Sequence, residues 1–300
     1  MYHIVYGFVY TLSLLPLRAL YCISDMLYPI VRFIIRYRRE VVEKNLIMAF
    51  PDMTRKERKE IERKFYHCFC DYFFETIKLL SISEKKLAKH LEYIGGELFD
   101  ETFERGQNAA LMFGHYCNWE WTATIGMCSK RRNEVMFGAV YHKLKSKIAD
   151  RLFIKIRKAH GATPVKKSRI LRYLMRIKQE NRRALFGYIS DQSPKWQNIH
   201  LWIKFLNNDT PVFTGGERIM RKFNDSVFYL DMKRPKRGKY VFTIQPMFIN
   251  AKETEEFEIT REYFRRLEVN INEHPEFYLW SHNRWKRTKE EYDKRMANKN

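Results

Sequence analysis

Hydrophobic positions in the middle of the chain alternate between short continuous runs and runs with a helical period. The continuous runs "NAALMFG", "NEVMFGAVY", "ATPV" and "RALFGYIS" predict buried strands. The stretches "SKIADRLFIKIRKAHG" and "SRILRYLMRIKQEN" between three of them place apolar residues on one helical face, and Ser168 is expected to cap the second. This alternation predicts a single α/β domain with a mainly parallel central sheet flanked by helices.

Further elements are expected on either side of this region. Thr54 and Glu57 form a capping-box pattern that predicts a helix to about Leu80, and "GELFDETFERG" predicts a shorter helix. The stretch "DSVFYLDMKRPKRGKYVFTIQPMF" predicts a hairpin with its turn in "RPKRG". The last clear pattern, "TREYFRRLEVNINEHPEF", predicts a closing helix that ends before Pro275.

The first part of the chain has a different pattern, because it is apolar almost throughout. Its charge-free run 3–17 is shorter than the roughly 20 residues that a perpendicular spanning helix needs, and Pro16 and Pro29 interrupt the helical pattern. The basic run "RYRREVVEK" that follows favours attachment to anionic lipid. We expect residues 1–37 to form a membrane anchor, either spanning or lying in the headgroup plane, and residues 38–300 to form the main folded domain. The other interpretation is a helix pair packed in a soluble core.

The charge of the chain narrows the kinds of partner. The formal net charge is +21 and 45% of the residues are hydrophobic, so the chain is a folded protein with a strong basic excess. Such an excess indicates an acidic partner, which is nucleic acid, anionic lipid or an acidic protein. The five cysteines form no CxxC pair, so we expect reduced thiols in a cytoplasmic environment.

Candidate chemistry begins in "GHYCNWEW", where His115 follows a predicted strand and Glu120 comes five positions later. On one continuous helix the two side chains would point in different directions. If the strand ends at Gly114 and Asn118 caps a new helix, Glu120 falls in the first turn and could orient the imidazole for proton abstraction. The spacing alone favours a buried core histidine and a glutamate that interacts with the helix dipole, because a histidine and a glutamate five positions apart are common by chance.

Several segments in order make the interpretation more specific. The segment "RREVVEKNLIMAFPDMTRKER", the box "GHYCNWE", the block "VYHKLKSKIADRLFIKIRKAHG", the pair in "ISDQSP" and the signature "PEFYLWSHNRWKR" occur in one chain. In this order they resemble the lipid A secondary acyltransferases, which are the lauroyl/myristoyl branch of the lysophospholipid acyltransferase superfamily. The resemblance covers nearly the whole chain.

The resemblance implies a reaction and a set of partners. The family transfers an acyl chain from acyl carrier protein to a hydroxyl of a phosphorylated glycolipid, the lipid A precursor. It therefore implies an enzyme on the cytoplasmic side of the cell inner membrane, in contact with an anionic surface. It implies no cofactor beyond the acyl donor, and we expect no metal, because "HCFCD" lacks a second ligand pair. We also expect no nucleic-acid partner.

Residue roles follow from the same resemblance. His115 would be the general base and Glu120 its orienting carboxylate. Arg157 falls on the family's arginine near substrate phosphates, although a solvated helix face explains it too. Asn118, Asp191 and Gln192 are expected to line the substrate site. Two positions depart from the family's second block, where His142 and Lys143 replace an arginine and the following proline.

Three alternatives stay open at the level of sequence. Cys117 lies two residues from His115, and such a pair could form a thioester intermediate. An enzyme of the same family could use another acceptor, such as a glycerophospholipid, an acylated amino-acid lipid or an inositol mannoside. Finally, stretches such as "KWQNIHLWIKF" could stack on bases in a basic nucleic-acid-binding protein.

Overall fold

Seven strands form one mixed sheet in the computed structural model, which describes residues 1–298. The sheet strands are β1 (Leu91–Ile94), β2 (Ala109–Phe113), β3 (Met136–Tyr141), β4 (Thr163–Lys166), β5 (Ala184–Ile189), β8 (Ser226–Lys236) and β9 (Lys239–Phe248), and β6 (Trp202–Phe205) and β7 (Asn208–Pro211) pair separately. Their order across the sheet is β1-β9-β8-β2-β5-β3-β4. Neighbours are parallel except β8 and β9, which are antiparallel. The predicted single α/β domain with a mainly parallel sheet is confirmed.

Helices flank this sheet. They are α1 (Tyr2–Leu14), α2 (Leu17–Pro29), α3 (Arg39–Ala49), α4 (Arg55–Lys78), α5 (Glu84–Leu87), α6 (Glu97–Glu104), α7 (Lys147–Lys158), α8 (Ile170–Gln179), α9 (Gly215–Phe223), α10 (Glu258–Glu273) and α11 (Lys289–Ala297). A π-helical turn covers Ile30–Ile34, and a long 3₁₀ helix covers Trp119–Cys128. The connection from β3 to β4 runs toward the edge of the sheet, and the connection from β4 to β5 runs back past β3. Because both crossovers are expected to be right-handed, α7 and α8 lie on opposite faces of the sheet.

Local sequence explains most element boundaries. The Thr54 hydroxyl accepts a hydrogen bond from the Glu57 amide while the Glu57 carboxylate bonds back, so the predicted capping box opens α4. Every residue of β2 is buried, as its continuous apolar run predicted. The expectation for Ser168 was wrong: a 3₁₀ turn over Lys167–Arg169 precedes α8, which begins at Ile170 without a side-chain cap.

The amino-terminal helices α1 and α2 meet at a sharp bend. No single helix among the described residues combines the length and apolar character needed to cross a membrane, and α1 with the segment Leu17–Ile34 meets those criteria only as a pair bent by 116°. Large apolar side chains on this pair are exposed, among them Ile4, Phe8 and Met26. The division at residue 37 stays a prediction.

The other face of α1 lies on α7. The guanidinium of Arg151 lies over the Tyr2 ring at 5.6 Å, and the Lys155 ammonium lies over the Tyr6 ring at 3.9 Å. Tyr2 and Tyr6 also stack on each other, with ring centroids 6.1 Å apart. Cation–π contacts of this kind attach the first helix of the chain directly to α7.

A buried ionic network attaches α2 to the sheet. Asp71 on α4 accepts hydrogen bonds from Ser24 on α2 and from Arg234 and Arg237 on the β8–β9 hairpin. Arg237 also binds Asp25 on α2 through two hydrogen bonds. The three elements therefore share one set of paired charges, in which each buried ion has an opposite partner.

Candidate active site

The candidate site lies where two neighbouring central strands end. His115 follows β2 by two residues and Asp191 follows β5 by two residues, and β2 pairs with β5 in parallel. The carboxyl ends of parallel strands meet at one edge of a sheet, which is where open α/β sheets bind ligands. Gly114 permits the close approach of this edge to α10, because a Cβ there would lie 2.6 Å from the Leu267 side chain.

Asp191 is the carboxylate partner of His115. Its Oδ1 lies 2.7 Å from His115 Nδ1, and its Oδ2 accepts the His115 backbone N–H at 3.0 Å. Two contacts from one carboxylate fix both the position and the orientation of the imidazole. With Nδ1–H donated to Asp191, the other ring nitrogen, Nε2, is the one that can accept a proton.

The carboxylate of Asp191 is buried and charged. Its side chain is 2% exposed, whereas that of His115 is 18% exposed. Burial raises the pKa of Asp191, but the positive charge of His115 and the hydrogen bonds from its ring and amide outweigh this and lower the pKa below its usual range. The carboxylate therefore stays ionised next to the imidazole.

Gln192 contacts the free ring nitrogen. Its side-chain Nε2 lies 3.2 Å from His115 Nε2, which places an amide group beside the atom that would take the proton. The predicted residues His115, Asp191 and Gln192 therefore lie together.

Glu120 has a different partner from the one expected. Arg157 on α7 donates two hydrogen bonds to its carboxylate, at 2.9 and 2.6 Å. The prediction that Glu120 orients the imidazole was wrong in this respect, because the carboxylate at the His115 ring belongs to Asp191. The physical reason is that residues 119–128 form a tight 3₁₀ helix, and its first turn presents Glu120 to α7.

Arg157 and Asn118 are both tied into the protein. Burial alone would lower the pKa of Arg157, but the charge and hydrogen bonds of Glu120 raise it above its usual value. Asn118 directly precedes the 3₁₀ helix but does not cap it: its amide nitrogen donates to Glu75 at 2.9 Å, and its side-chain oxygen accepts from the Thr76 hydroxyl at 3.5 Å. The structure thus gives Asn118 an internal partner on α4.

Cys117 has the properties of a structural thiol. It is buried, its sulfur lies 3.4 Å from the Met232 carbonyl oxygen, and burial raises its pKa well above the usual value. A thiolate is the reactive form of cysteine, and this environment disfavours it. The geometry therefore gives no support to a cysteine nucleophile.

The carboxyl-terminal segment also contributes to the site. One of its residues, His282, was not expected there from the sequence. The Leu279 amide donates to the His115 carbonyl, and the Cys117 amide donates to the Phe277 carbonyl. His282 Nε2 accepts the Ser193 amide at 3.2 Å, and burial lowers the pKa of this imidazole to about 4. The signal that could have identified it is the histidine inside the "WSHNRWK" signature.

Two cavities lie on either side of Trp119, whose ring meets the His115 ring edge-on at 5.1 Å and stacks on Tyr72 at 4.2 Å. The first cavity lies between the sheet and the 3₁₀ helix, and Glu120 and Arg157 are in its wall. The second is a narrow space between α4 and the segment 276–279. The oriented imidazole of His115 therefore lies beside two small, largely apolar spaces.

This combination of an oriented imidazole and adjoining apolar cavities suits transfer of an apolar group to a hydroxyl. No match to the chain is found among the curated proteins. The sequence model of one protein family, the bacterial lipid A biosynthesis acyltransferases, matches residues 1–287, which is nearly the whole chain. The chain therefore belongs to the family of bacterial lipid A biosynthesis acyltransferases.

Proposed function

We propose that this protein transfers a fatty acyl chain from acyl carrier protein to a hydroxyl of a lipid A precursor, with His115 as general base and Asp191 as its orienting carboxylate. The observation that carries the proposal is the 2.7 Å contact between His115 Nδ1 and Asp191. It leaves Nε2 unprotonated, where a substrate hydroxyl would displace the Gln192 amide that contacts this nitrogen, beside the largely apolar first cavity.

The reaction requires one proton transfer in each direction. His115 Nε2 removes the hydroxyl proton while the alcohol oxygen forms a bond to the thioester carbonyl carbon. The carbon–sulfur bond of the tetrahedral intermediate then breaks, and the imidazolium returns the proton to the departing thiolate of the carrier. Asp191 stabilises the positive imidazolium between these two steps.

Glu120 and Arg157 have a positioning role in this scheme. Their paired hydrogen bonds connect the 3₁₀ helix, which carries Trp119, to α7 across the first cavity. Such a two-point pair is geometrically specific, so it defines the width of the cavity. The guanidinium charge is paired with the Glu120 carboxylate, so the expected place of Arg157 near substrate phosphates stays a prediction.

The first cavity suits the acyl chain of the donor. Its floor includes small side chains and bare backbone, namely Ala123, Gly138, Ala139, Ala162 and Gly187. It lies along β5 beside Leu185, Gly187 and Ile189.

The charge distribution supports an acidic protein as donor. Residues 142–183 contain fifteen lysines and arginines against two acidic residues, a net charge of +13 out of the +21 of the chain. The loops after β3 and β4 lie at the same sheet edge as His115, and their cations include Lys143, Lys145, Lys167 and Arg169, all exposed. We call these two loops the basic rim. An acidic carrier protein bound there would deliver its thioester to the adjacent site.

The proposed location is the inner membrane, with the catalytic domain on the cytoplasmic side. The bent pair of α1 and the segment Leu17–Ile34 supports attachment to a membrane, because it exposes apolar side chains. The nucleic-acid alternative is weaker, because Trp196 stacks on Tyr292 and lies under Arg295, so its ring already has partners within the protein.

The test is a transfer assay on membranes that contain the protein. The donor is acyl carrier protein loaded with chains of 8 to 16 carbons or so, and the acceptor is a tetra-acylated lipid A precursor. We expect the precursor to gain the mass of one acyl chain, and the His115→Ala variant to show no gain. Failure with every chain, from folded membrane-bound protein, would reject this donor–acceptor pair and direct the assay to other lipid acceptors.

A further inference from the structure

Helix α8 lies on the face of the sheet opposite to the amino-terminal helix. Its Tyr173 packs edge-on against Phe186 of β5, with ring centroids 6.4 Å apart. The neighbouring β5 residue Leu185 lines the first cavity together with Arg157 of α7, so it points to the other face of the sheet. Because α1 contacts α7, α8 is on the side of the domain away from α1.

The outer surface of α8 has an exposed apolar part. Ile170, Leu174 and Ile177 form the buried side of the helix. Leu171 and Met175 lie one turn apart on a different side, and they are 41% and 49% exposed. We call these two residues the apolar pair. Single exposed apolar residues are common, but two neighbouring ones on a helix provide the apolar centre that a protein interface needs.

Cations surround the apolar pair. Residues 166–183 contain eight lysines and arginines against one acidic residue, Glu180. Within residues 1–298, Glu180 forms the only salt bridges of this stretch, both with arginines. Arg172 and Lys178, each three positions from Met175 and exposed, therefore keep unpaired positive charge. Such a surface is complementary to a partner that presents apolar and acidic side chains.

This surface continues the basic rim. The 3₁₀ turn Lys167–Arg169 belongs to the rim and leads directly into α8, which begins at Ile170. Strand β4 is three strand positions from β2, which is about 14 Å at about 4.8 Å per strand. The thioester of an acyl carrier protein is attached through a flexible arm, so a carrier bound at α8 could reach His115 across this distance.

We propose that the outer surface of α8, with the apolar pair at its centre, is the docking site of the acidic acyl carrier protein. The proposal rests on the proposed function and deepens it. Charge on the basic rim accounts for steering of the carrier, whereas the apolar pair adds contacts that slow its dissociation. The position of α8 on the face away from α1 favours a soluble protein over the membrane as the occupant.

Binding kinetics on the full chain in nanodiscs test the proposal without turnover. We expect Leu171→Ala combined with Met175→Ala to raise the dissociation rate of acyl carrier protein, and hence its Kd, at least about tenfold, with the association rate nearly unchanged. Alanine favours a helix, so α8 should be retained. The matched control is Ile249→Ala combined with Val269→Ala, because both residues are exposed and lie outside α8. The control should leave the Kd unchanged.

Zero-length crosslinking on the unaltered protein locates the contact. A carbodiimide joins carboxylates of the carrier to lysines that they touch, and mass spectrometry identifies those lysines. Crosslinks to Lys167 or Lys178 support the proposal even if no transfer is detected, in which case the proposed function alone fails.

Two results would overturn the proposal while leaving the transfer reaction intact. One is crosslinking confined to lysines of α7, such as Lys155, which lies on the other face of the sheet. The other is a double alanine variant with the carrier kinetics of the wild type. If that variant also bound anionic vesicles more weakly, the surface of α8 would be a membrane contact instead.

Discussion

Replacing Asp191 by asparagine tests which of two nearby carboxylates, Asp191 or Glu120, orients the imidazole of His115. Asp191→Asn keeps the size of the side chain but removes the negative charge that faces Nδ1 of His115. The new amide can also donate to Nδ1, which favours the tautomer whose Nε2 already carries a proton. Both effects oppose proton abstraction at Nε2.

The expected loss follows from the geometry. In the transition state an imidazolium faces a carboxylate with charge centres about 4 Å apart, and at an effective dielectric constant of about 20 this attraction is about 4 kcal/mol. Each 1.36 kcal/mol or so is a factor of ten in rate, so we expect kcat to fall about 10³-fold. The KM of both substrates should change little, because Asp191 touches His115 and not the cavities.

The assay is steady-state transfer from acyl carrier protein to the lipid A precursor, with thermal unfolding as a check on folding. Glu120→Gln is the informative comparison, because it weakens the pair with Arg157 and leaves the His115–Asp191 contact intact. We expect it to raise the KM for the donor and to lower kcat less than Asp191→Asn does. If Asp191→Asn retained a tenth of the wild-type kcat, or if Glu120→Gln alone abolished turnover, the assignment of Asp191 as the orienting carboxylate would be refuted.

Three further outcomes are expected from features away from the base. Burial raises the pKa of Asp225 to about 7, so the folded protein holds a proton that the unfolded chain releases above the ordinary aspartate pKa of 3.8. Stability should therefore fall by up to about 4 kcal/mol as pH rises from about 4 to 7, and Asp225→Asn should remove this dependence in denaturant titrations at pH 5 and 8. An unchanged pH dependence in that variant would contradict this account. Lys143→Glu combined with Lys145→Glu should raise the KM for acyl carrier protein at least about tenfold, whereas Lys222→Glu, exposed near the opposite edge of the sheet, should not; equal effects would argue against docking at the basic rim. Asp71→Ala leaves Arg234 with fewer buried partners and should lower the free energy of unfolding by about 3–5 kcal/mol in urea titrations; a loss below about 1 kcal/mol would show that the network contributes little.

The sheet could be predicted from the sequence because its signals are local. The apolar run of β2 and the capping box at Thr54 each specify an element within a few residues, and both elements have the expected character. The two-stranded unit of β6 and β7 was missed, because in "KWQNIHLWIKF" the aromatic and basic residues obscured the alternation of a short strand. Phe205 of β6 is buried and packs edge-on against Phe264 of α10.

The partner of the base could not be predicted in the same way. His115 and Asp191 are 76 residues apart, and only the parallel pairing of β2 with β5 brings them together. Glu120 was chosen because of the family resemblance, but the direction of its side chain depends on the 3₁₀ geometry, which the sequence does not reveal. Sequence reasoning therefore grouped residues that the structure brings together, His115, Asp191 and Gln192, without predicting their hydrogen bonds.

The contact of α1 with α7 has a practical consequence for handling this enzyme. Helix α7 carries Arg157, and on its outer side the rings of Tyr2 and Tyr6 cover Arg151 and Lys155. Deleting residues 1–37 to obtain a more tractable protein would uncover that side and remove the only aromatic partners these two cations have among the described residues. Protein prepared for crystallisation or screening should therefore retain the first helix in a detergent micelle or nanodisc, because a shortened chain would report the activity of a protein with a loosened α7.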